Sequence, residues 1–300
     1  MAALRYFFSL LMVPISLIAA GFSLIAYMAG QTNPNESIFI TFIGLAMPVI
    51  LTINLLILIY WIIKKKWWII IPIAAILLNS GYLASIFQVT ISSSKLPDGK
   101  IPIRIASYNA GKFKSWEHFE TQYYISEFLK NDKANIICFQ EYRENTKINA
   151  DTLSRLLNCP HHAIAYLPGS TTLGTGIFSK YPILQFGKIP LASQTNDAMW
   201  VDIQTGETRI RIISCHLQTT NFSKKRRLLD DPVLQNADIQ QVEDVVTDIS
   251  QELAQNFKIR ATQAQIVRQV IDTTRIPTIV CGDFNDTPSS YTYQYIKGDL

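Results

Sequence analysis

Hydrophobic positions fall into two regimes along this 300-residue chain. Up to residue 91 they run almost unbroken, in "LRYFFSLLMVPISLIAAGFSLIAYMAG", "SIFITFIGLAMPVILTINLLILIYWII" and "WWIIIPIAAILLNSGYLASIFQVTI". Each run exceeds the roughly 20 apolar residues an α-helix needs to cross a bilayer, so residues 1–91 are expected to form a membrane anchor of three transmembrane helices. Residues 92–102, with "SSSKLPDGK", read as a linker. Beyond them, short runs rich in Ile, Val and Phe alternate with polar stretches. "IPIRIASYN", "ANIICFQE", "HAIAYLP", "GTGIFSK", "AMWVDIQ", "TRIRIISCHLQ" and "IPTIVCGDFN" read as strands. "SWEHFETQYYISEFLKND" and residues 237–273 have helical spacing, the latter through Val242, Val245, Val246, Ile249, Leu253 and Phe257. Residues 103–300 are expected to be one α/β domain.

Charge sharpens this division. The only charged side chains in 1–91 are Arg5, Glu36, Lys64, Lys65 and Lys66, which leaves 23 Lys+Arg and 22 Asp+Glu for the rest. That near-neutral domain lacks the global basicity of a nucleic-acid binder. Arg5 and "KKK" fall on one side of the spans, whereas "QTNPNE" on the other has no Lys or Arg. The positive-inside rule then places the N-terminus in the cytoplasm, and an odd number of spans sends the large domain out of it. The expected location is a bacterial inner membrane, with the domain extracytoplasmic. Tyr60, Trp61, Trp67 and Trp68 flank "KKK" as interfacial aromatics do. Asn54 and Asn79 are expected to hydrogen-bond between helices rather than to mark a transport path. Cys138, Cys159, Cys215 and Cys281 lack zinc-site spacing and are expected to pack as small apolar groups rather than as disulfides.

Candidate chemistry gathers at strand ends. "IRIASYN" ends on Asn109, "NIICFQE" on Glu141, "RIRIISCH" on His216, and "TIVCGDFN" carries Asp283 and Asn285. Singly, each has an ordinary reading: a turn asparagine, a solvated glutamate, a histidine without a role, a Gly-Asn-Asp-Pro turn. Together they put groups able to hold a metal or a phosphate at neighbouring strand ends, where ligand sites of α/β sheets collect.

The stretches "SYNAGKF", "CFQEY", "GTGIFSKYPI", "SCHLQT" and "CGDFNDTP", in this order between Ile103 and Pro288, resemble the endonuclease/exonuclease/phosphatase superfamily. The resemblance implies a four-layer sandwich, two β-sheets face to face with helices outside, a divalent cation (Mg2+ or Mn2+), and phosphoester hydrolysis. It implies that Glu141 binds the metal, that Asp283 is the general base toward water, and that Asn285 orients Asp283 and holds phosphate. His216 would hydrogen-bond a phosphate oxygen, and Asn109 would line the metal and phosphate pocket. Ser179 and Pro182 are expected to shape the fold, Asp286 to cap or turn its loop, and "KKRR" at 224–227 to be a solvated patch or a phosphate contact.

The family pattern also carries a later Ser-Asp-His-type motif and further strands after Pro288. The sequence ends on "KGDL", where Asp299 has no histidine after it, so the expectation is a truncated chain. The first functional reading is a membrane-tethered nuclease. The alternatives are a phosphodiesterase or phosphatase acting on lipid or small esters, and a catalytically inactive binding module. No protein partner is evident.

Overall fold

The computed structural model describes residues 2–87, 102–114, 121–146, 148–220 and 239–300. The expected linker at 92–102, apart from its last residue, and "KKRR" lie outside the described residues. The chain forms two compact units: Met1–Ser93 with Val245–Ala261 and Asp286–Gly298, and Ser94–Asp244 with Thr262–Asn285 and Asp299–Leu300.

In the first unit, α1 (Ala2–Met28) is one helix. The second apolar segment divides into α2 (Ile38–Leu45) and α3 (Met47–Lys64). The break at Ala46 precedes Pro48 in the first turn of α3, where its missing N–H is no loss. The third segment differs from the single helix expected. After a 3-10 turn (Trp67–Ile69), α4 (Ile70–Leu78) and α5 (Ser80–Ile86) meet at a 57° bend. "NSG" at 79–81 is the cause: Ser and Gly are poor helix formers, and Asn79 Nδ2 donates to Ala75 O at 3.0 Å and to Ser23 O at 3.3 Å. Two helices, Ser9–Met28 and Met47–Lys64, are therefore long and apolar enough to cross a membrane, or three spans if the bent pair counts as one.

Polar groups join these helices, as the sequence suggested. Asn54 Nδ2 donates to Ser23 Oγ at 3.0 Å and to Ala19 O at 3.3 Å, and Trp61 Nε1 donates to Ser16 Oγ at 2.9 Å. Asp286 does turn its loop, accepting from Thr287 N at 2.9 Å, but its other oxygen forms a buried ion pair with Arg260 Nε at 3.1 Å.

The second unit holds two four-stranded sheets. One has the order β1 (Ile105–Asn109), β2 (Ile136–Arg143), β4 (Leu173–Ser179), β3 (His161–Tyr166); the other runs β5 (Ile183–Ile189), β6 (Asp197–Thr205), β7 (Thr208–His216), β8 (Thr278–Asp283). β1 and β2 are parallel, as are β7 and β8; the other neighbours are antiparallel. Parallel neighbours need a crossover, and helices supply it: α6 (Gln122–Asn131) between β1 and β2, and α8 (Ile239–Asp272) between β7 and β8. α7 (Ala150–Leu157) follows β2, and α9 (Tyr291–Lys297), in the first unit, follows β8.

β2 is buried on both faces, and its alternation shows why. Ile136 and Cys138 pack with Ile177, Met199, Val201 and Ile212 between the sheets, whereas Ile137 and Phe139 pack outward against Leu129 of α6 and Leu153 and Leu157 of α7. Two mixed sheets with helices outside are the architecture the sequence led one to expect. Cys138, Cys159 and Cys215 are buried and free, and Cys281 is half-buried and free.

Candidate active site

The parallel pairs put the carboxyl ends of β1, β2, β7 and β8 at the positions that matter. In β1 and β2, Asn109 stands opposite Gln140. The pairing of β2 with β4 then jumps from Phe139↔Gly176 to Tyr142↔Gly174, and Glu141 sits in that bulge at φ 47°. A bulge re-aims a side chain, and this one takes Glu141 out of an otherwise buried run. Gln140 ties the sheets together just beside it, donating from Nε2 to Ser214 Oγ at 2.9 Å.

On the second sheet His216 and Asp283 are cross-strand partners. Gly282, at φ 138°, lets β8 approach β7 closely: a Cβ there would lie 2.0 Å from Cys215 O. Asn285 follows at φ 52°, a left-handed conformation that asparagine tolerates. Its backbone N–H donates to Asp283 Oδ1 at 3.0 Å, closing a side-chain turn on the motif's own aspartate.

The five residues form a connected set. Asn109 Nδ2 donates to Asp283 Oδ2 at 2.9 Å and to Glu141 Oε1 at 3.3 Å, while its Oδ1 accepts from Gly111 N at 3.0 Å. One amide thus bridges two carboxylates from different sheets. His216 Nε2 lies 3.7 Å from Glu141 Oε1 and 3.4 Å from Thr219 Oγ1. Asn285 Nδ2 is engaged with Leu217 O at 3.0 Å, so this residue orients Asp283 through its backbone.

A cavity of about 280 Å³ is lined by two of the set, Glu141 and His216, together with Lys112, Asp197, Gln218 and Thr219; Asn109, Asp283 and Asn285 stand beside it and do not line it. Asp197 was not singled out in the sequence. It begins β6 opposite His216, and its Oδ1 accepts from Thr175 Oγ1 at 2.7 Å. Its Oδ2 is buried without a partner. Burial raises the Asp197 carboxyl above the ordinary value, against the Thr175 hydrogen bond and the nearby His216 and Lys188. Lys112, at φ 60° inside "NAGKF", brings a positive charge to the same cavity.

Among the described residues no group of three or more His, Cys, Asp or Glu could hold a metal by itself. The donor set instead fits a hard cation that takes one or two carboxylates and completes its octahedron with water and substrate phosphate, as Mg2+ does. Glu141, on the cavity wall with Asp283 one amide away, offers those oxygens.

Comparison with known proteins places the chain. Residues 7–86 match a domain of unknown function (DUF8431), and residues 106–300 match the Endonuclease/Exonuclease/phosphatase family. No curated protein matches. Among solved structures, the chain is similar to the human nocturnin catalytic domain with bound sulfate, at 19% identity and TM-score 0.45, over 66% of this chain and 69% of that one. It is also similar to beta toxin from Staphylococcus aureus, at 16% identity and TM-score 0.43, over 65% and 70%. Truncated TDP2 from Caenorhabditis elegans aligns at 14% identity and TM-score 0.41, over 61% and 62%. With the family match spanning both sheets and every residue of the connected set, this chain belongs to the endonuclease/exonuclease/phosphatase family, whose members act on phosphoesters.

Proposed function

We propose that this chain is a divalent-cation-dependent phosphodiesterase, tethered to a membrane by its apolar helices, that cleaves nucleic acid. One observation carries the reading: both oxygens of Asp283 are fixed, Oδ2 by Asn109 and Oδ1 by the Asn285 N–H. A carboxylate has about four lone-pair directions, so an aspartate gripped in this way still has one to take a proton from water. It is aimed before the substrate arrives, which is how a general base is made efficient.

This geometry supports the following roles. Asp283 accepts the proton of the attacking water. Asn109 sets the distance between Asp283 and Glu141 and keeps their like charges from repelling one another unshielded. Glu141, with Asn109 beside it, would hold Mg2+ or Mn2+, which when bound supplies positive charge at the phosphoryl oxygens. His216 and Lys112 add donors on the cavity wall, where charge accumulates on those oxygens.

The test is hydrolysis by the full-length protein in detergent, offered single-stranded DNA, RNA, phospholipids and small phosphodiesters side by side. Nucleic-acid cleavage that EDTA stops and Mg2+ restores is expected. Hydrolysis confined to phospholipid would replace the substrate, and no hydrolysis of any substrate would make the chain a binding module. For orientation, we place the catalytic unit outside the cytoplasm: Arg5 and Lys64 to Lys66 share one side of the spans, and the bent pair α4 and α5, taken as a third span, carries the chain to the other. A periplasm-dependent reporter fused after Pro97 is expected to be active; an expressed but silent fusion reverses the orientation.

A further inference from the structure

Beside the catalytic cavity lies a second one, of about 400 Å³, that the proposed chemistry leaves unused. Gln194 and Asp197 line both, so the two share a wall. A substrate whose phosphorus lies near Asp283 has somewhere to put the group attached to it.

One lining residue of this second cavity is a fixed aromatic ring. Tyr166, at the end of β3, donates its hydroxyl to Glu144 Oε1 at 3.0 Å. That oxygen also accepts from Tyr142 Oη at 3.0 Å and Ala150 N at 3.2 Å. The ring is therefore held in one orientation before anything binds, and the ordering cost of a stacking contact is already met by the fold.

Its lining also includes a strained loop that is tied to the catalytic one. Ala192 sits at φ 52°, unusual for a residue with a Cβ. Ser193 Oγ accepts from the N–H groups of Thr195 and Asn196, at 3.2 and 3.1 Å. Asn196 Nδ2 then donates to Leu217 O at 2.8 Å, the same carbonyl that receives Asn285 Nδ2. Strain kept in place by this many bonds is a feature of ligand walls. The loop presents Gln194, exposed, with both a donor and an acceptor.

We propose that this cavity is the subsite for the nucleobase next to the scissile phosphate, stacked on Tyr166 with its edge toward Gln194. This deepens the nuclease reading and rests on it. A locked ring and a side-chain amide lining one cavity suit a flat heterocycle with a polar edge. A lipid tail needs only apolar walls, and Gln194, Asp197 and the exposed Lys188 interrupt them here. Lys188, an exposed lining residue of the same cavity, offers a cation to a flanking phosphate.

Two substrates with one leaving group test this: thymidine 5′-(4-nitrophenyl) phosphate and methyl 4-nitrophenyl phosphate, with full-length protein. Stacking on an aromatic side chain predicts a KM about tenfold lower for the thymidine ester. Tyr166→Leu should bring the ratio of the two KM values close to one, and Tyr166→Phe, which keeps the ring, should preserve it. Binding of thymidine 5′-monophosphate by calorimetry gives a readout free of turnover. If neither ester is hydrolysed but the nucleotide binds and Tyr166→Leu abolishes binding, the subsite stands and the hydrolytic reading fails. No thymidine preference in wild type, or a ratio unmoved in Tyr166→Leu, overturns the subsite. Faster turnover of 4-nitrophenyl phosphorylcholine, insensitive to Tyr166, overturns it in favour of a lipid headgroup.

Discussion

Asn109 and Asp283, 174 positions apart, are joined by a 2.9 Å hydrogen bond from amide to carboxylate. The bond runs from the edge strand of one sheet to the edge strand of the other, at the carboxyl ends of both. It makes the candidate site a property of two sheets rather than of any one motif.

Because Asn109 acts on Asp283, their substitutions should not add. Asp283→Asn is expected to lower kcat by about 10²- to 10⁴-fold, the usual contribution of general base catalysis. Asn109→Ala should lose less, and the double variant should be no worse than Asp283→Asn alone. Additive losses, with circular dichroism unchanged, would mean that Asn109 serves the substrate and not the base.

Glu141 should show itself in the metal dependence. Glu141→Gln keeps the size and removes the charge, so half-maximal activation by Mg2+ is expected to move up by about 10- to 100-fold. An activation curve that stays in place while kcat falls would shift the metal to another ligand.

Asp197 predicts a pH-dependent stability with a definite sign. Burial holds its folded carboxyl above the ordinary 3.8, so the folded state keeps a proton that the unfolded chain has released. Stability is lost as pH rises from that value through the raised folded one, and the loss stays constant above it. Asp197→Asn should therefore raise Tm at pH 7, with the gain fading below pH 3.8. Equal melting of both proteins at pH 7 would show that Oδ2 finds a partner in solution.

Gly282 is the backbone condition for the second sheet. Any side chain meets Cys215 O at 2.0 Å and a φ of 138° that only glycine adopts freely. Gly282→Ala is expected to destabilise the catalytic unit by more than about 1 kcal/mol, seen as a lower urea midpoint together with lost activity. A variant of normal stability would mean that β8 can stand off from β7.

Much of this was legible because strand termini announce themselves: an apolar run followed at once by Asn, Glu, His or Asp. Those runs located β1, β2, β7 and β8, and their last residues meet. β5 was missed since its apolar residues, Ile183, Leu184, Phe186 and Ile189, do not alternate: Gln185, Gly187 and Lys188 interrupt them, and on this edge strand Leu184 and Phe186 stand exposed. Asp197 was missed for a different reason. It opens its strand, whereas Asn109, Glu141, His216 and Asp283 each follow an apolar run; the polar "QTND" directly before "AMWV" was the available cue. The helical period of α8 was correct, yet Val242 and Val246 stand exposed, because periodicity reports a helix and not what covers its face. Bends in the anchor escaped because hydropathy averages over "NSG", which backbone geometry does not.

The order in which the strands are made has a consequence for the cell. The four described strands of the first sheet have been made once residue 179 has left the ribosome, and β8 pairs with β7 only after the 34 residues of α8 have followed. Until then a nascent chain carries Asn109, Glu141 and His216 but not the proposed base. On the proposed roles, synthesis and chemical competence are thereby separated in time: a growing polypeptide, its apolar helices already made, would lack its base until β8, the last described strand, has been made.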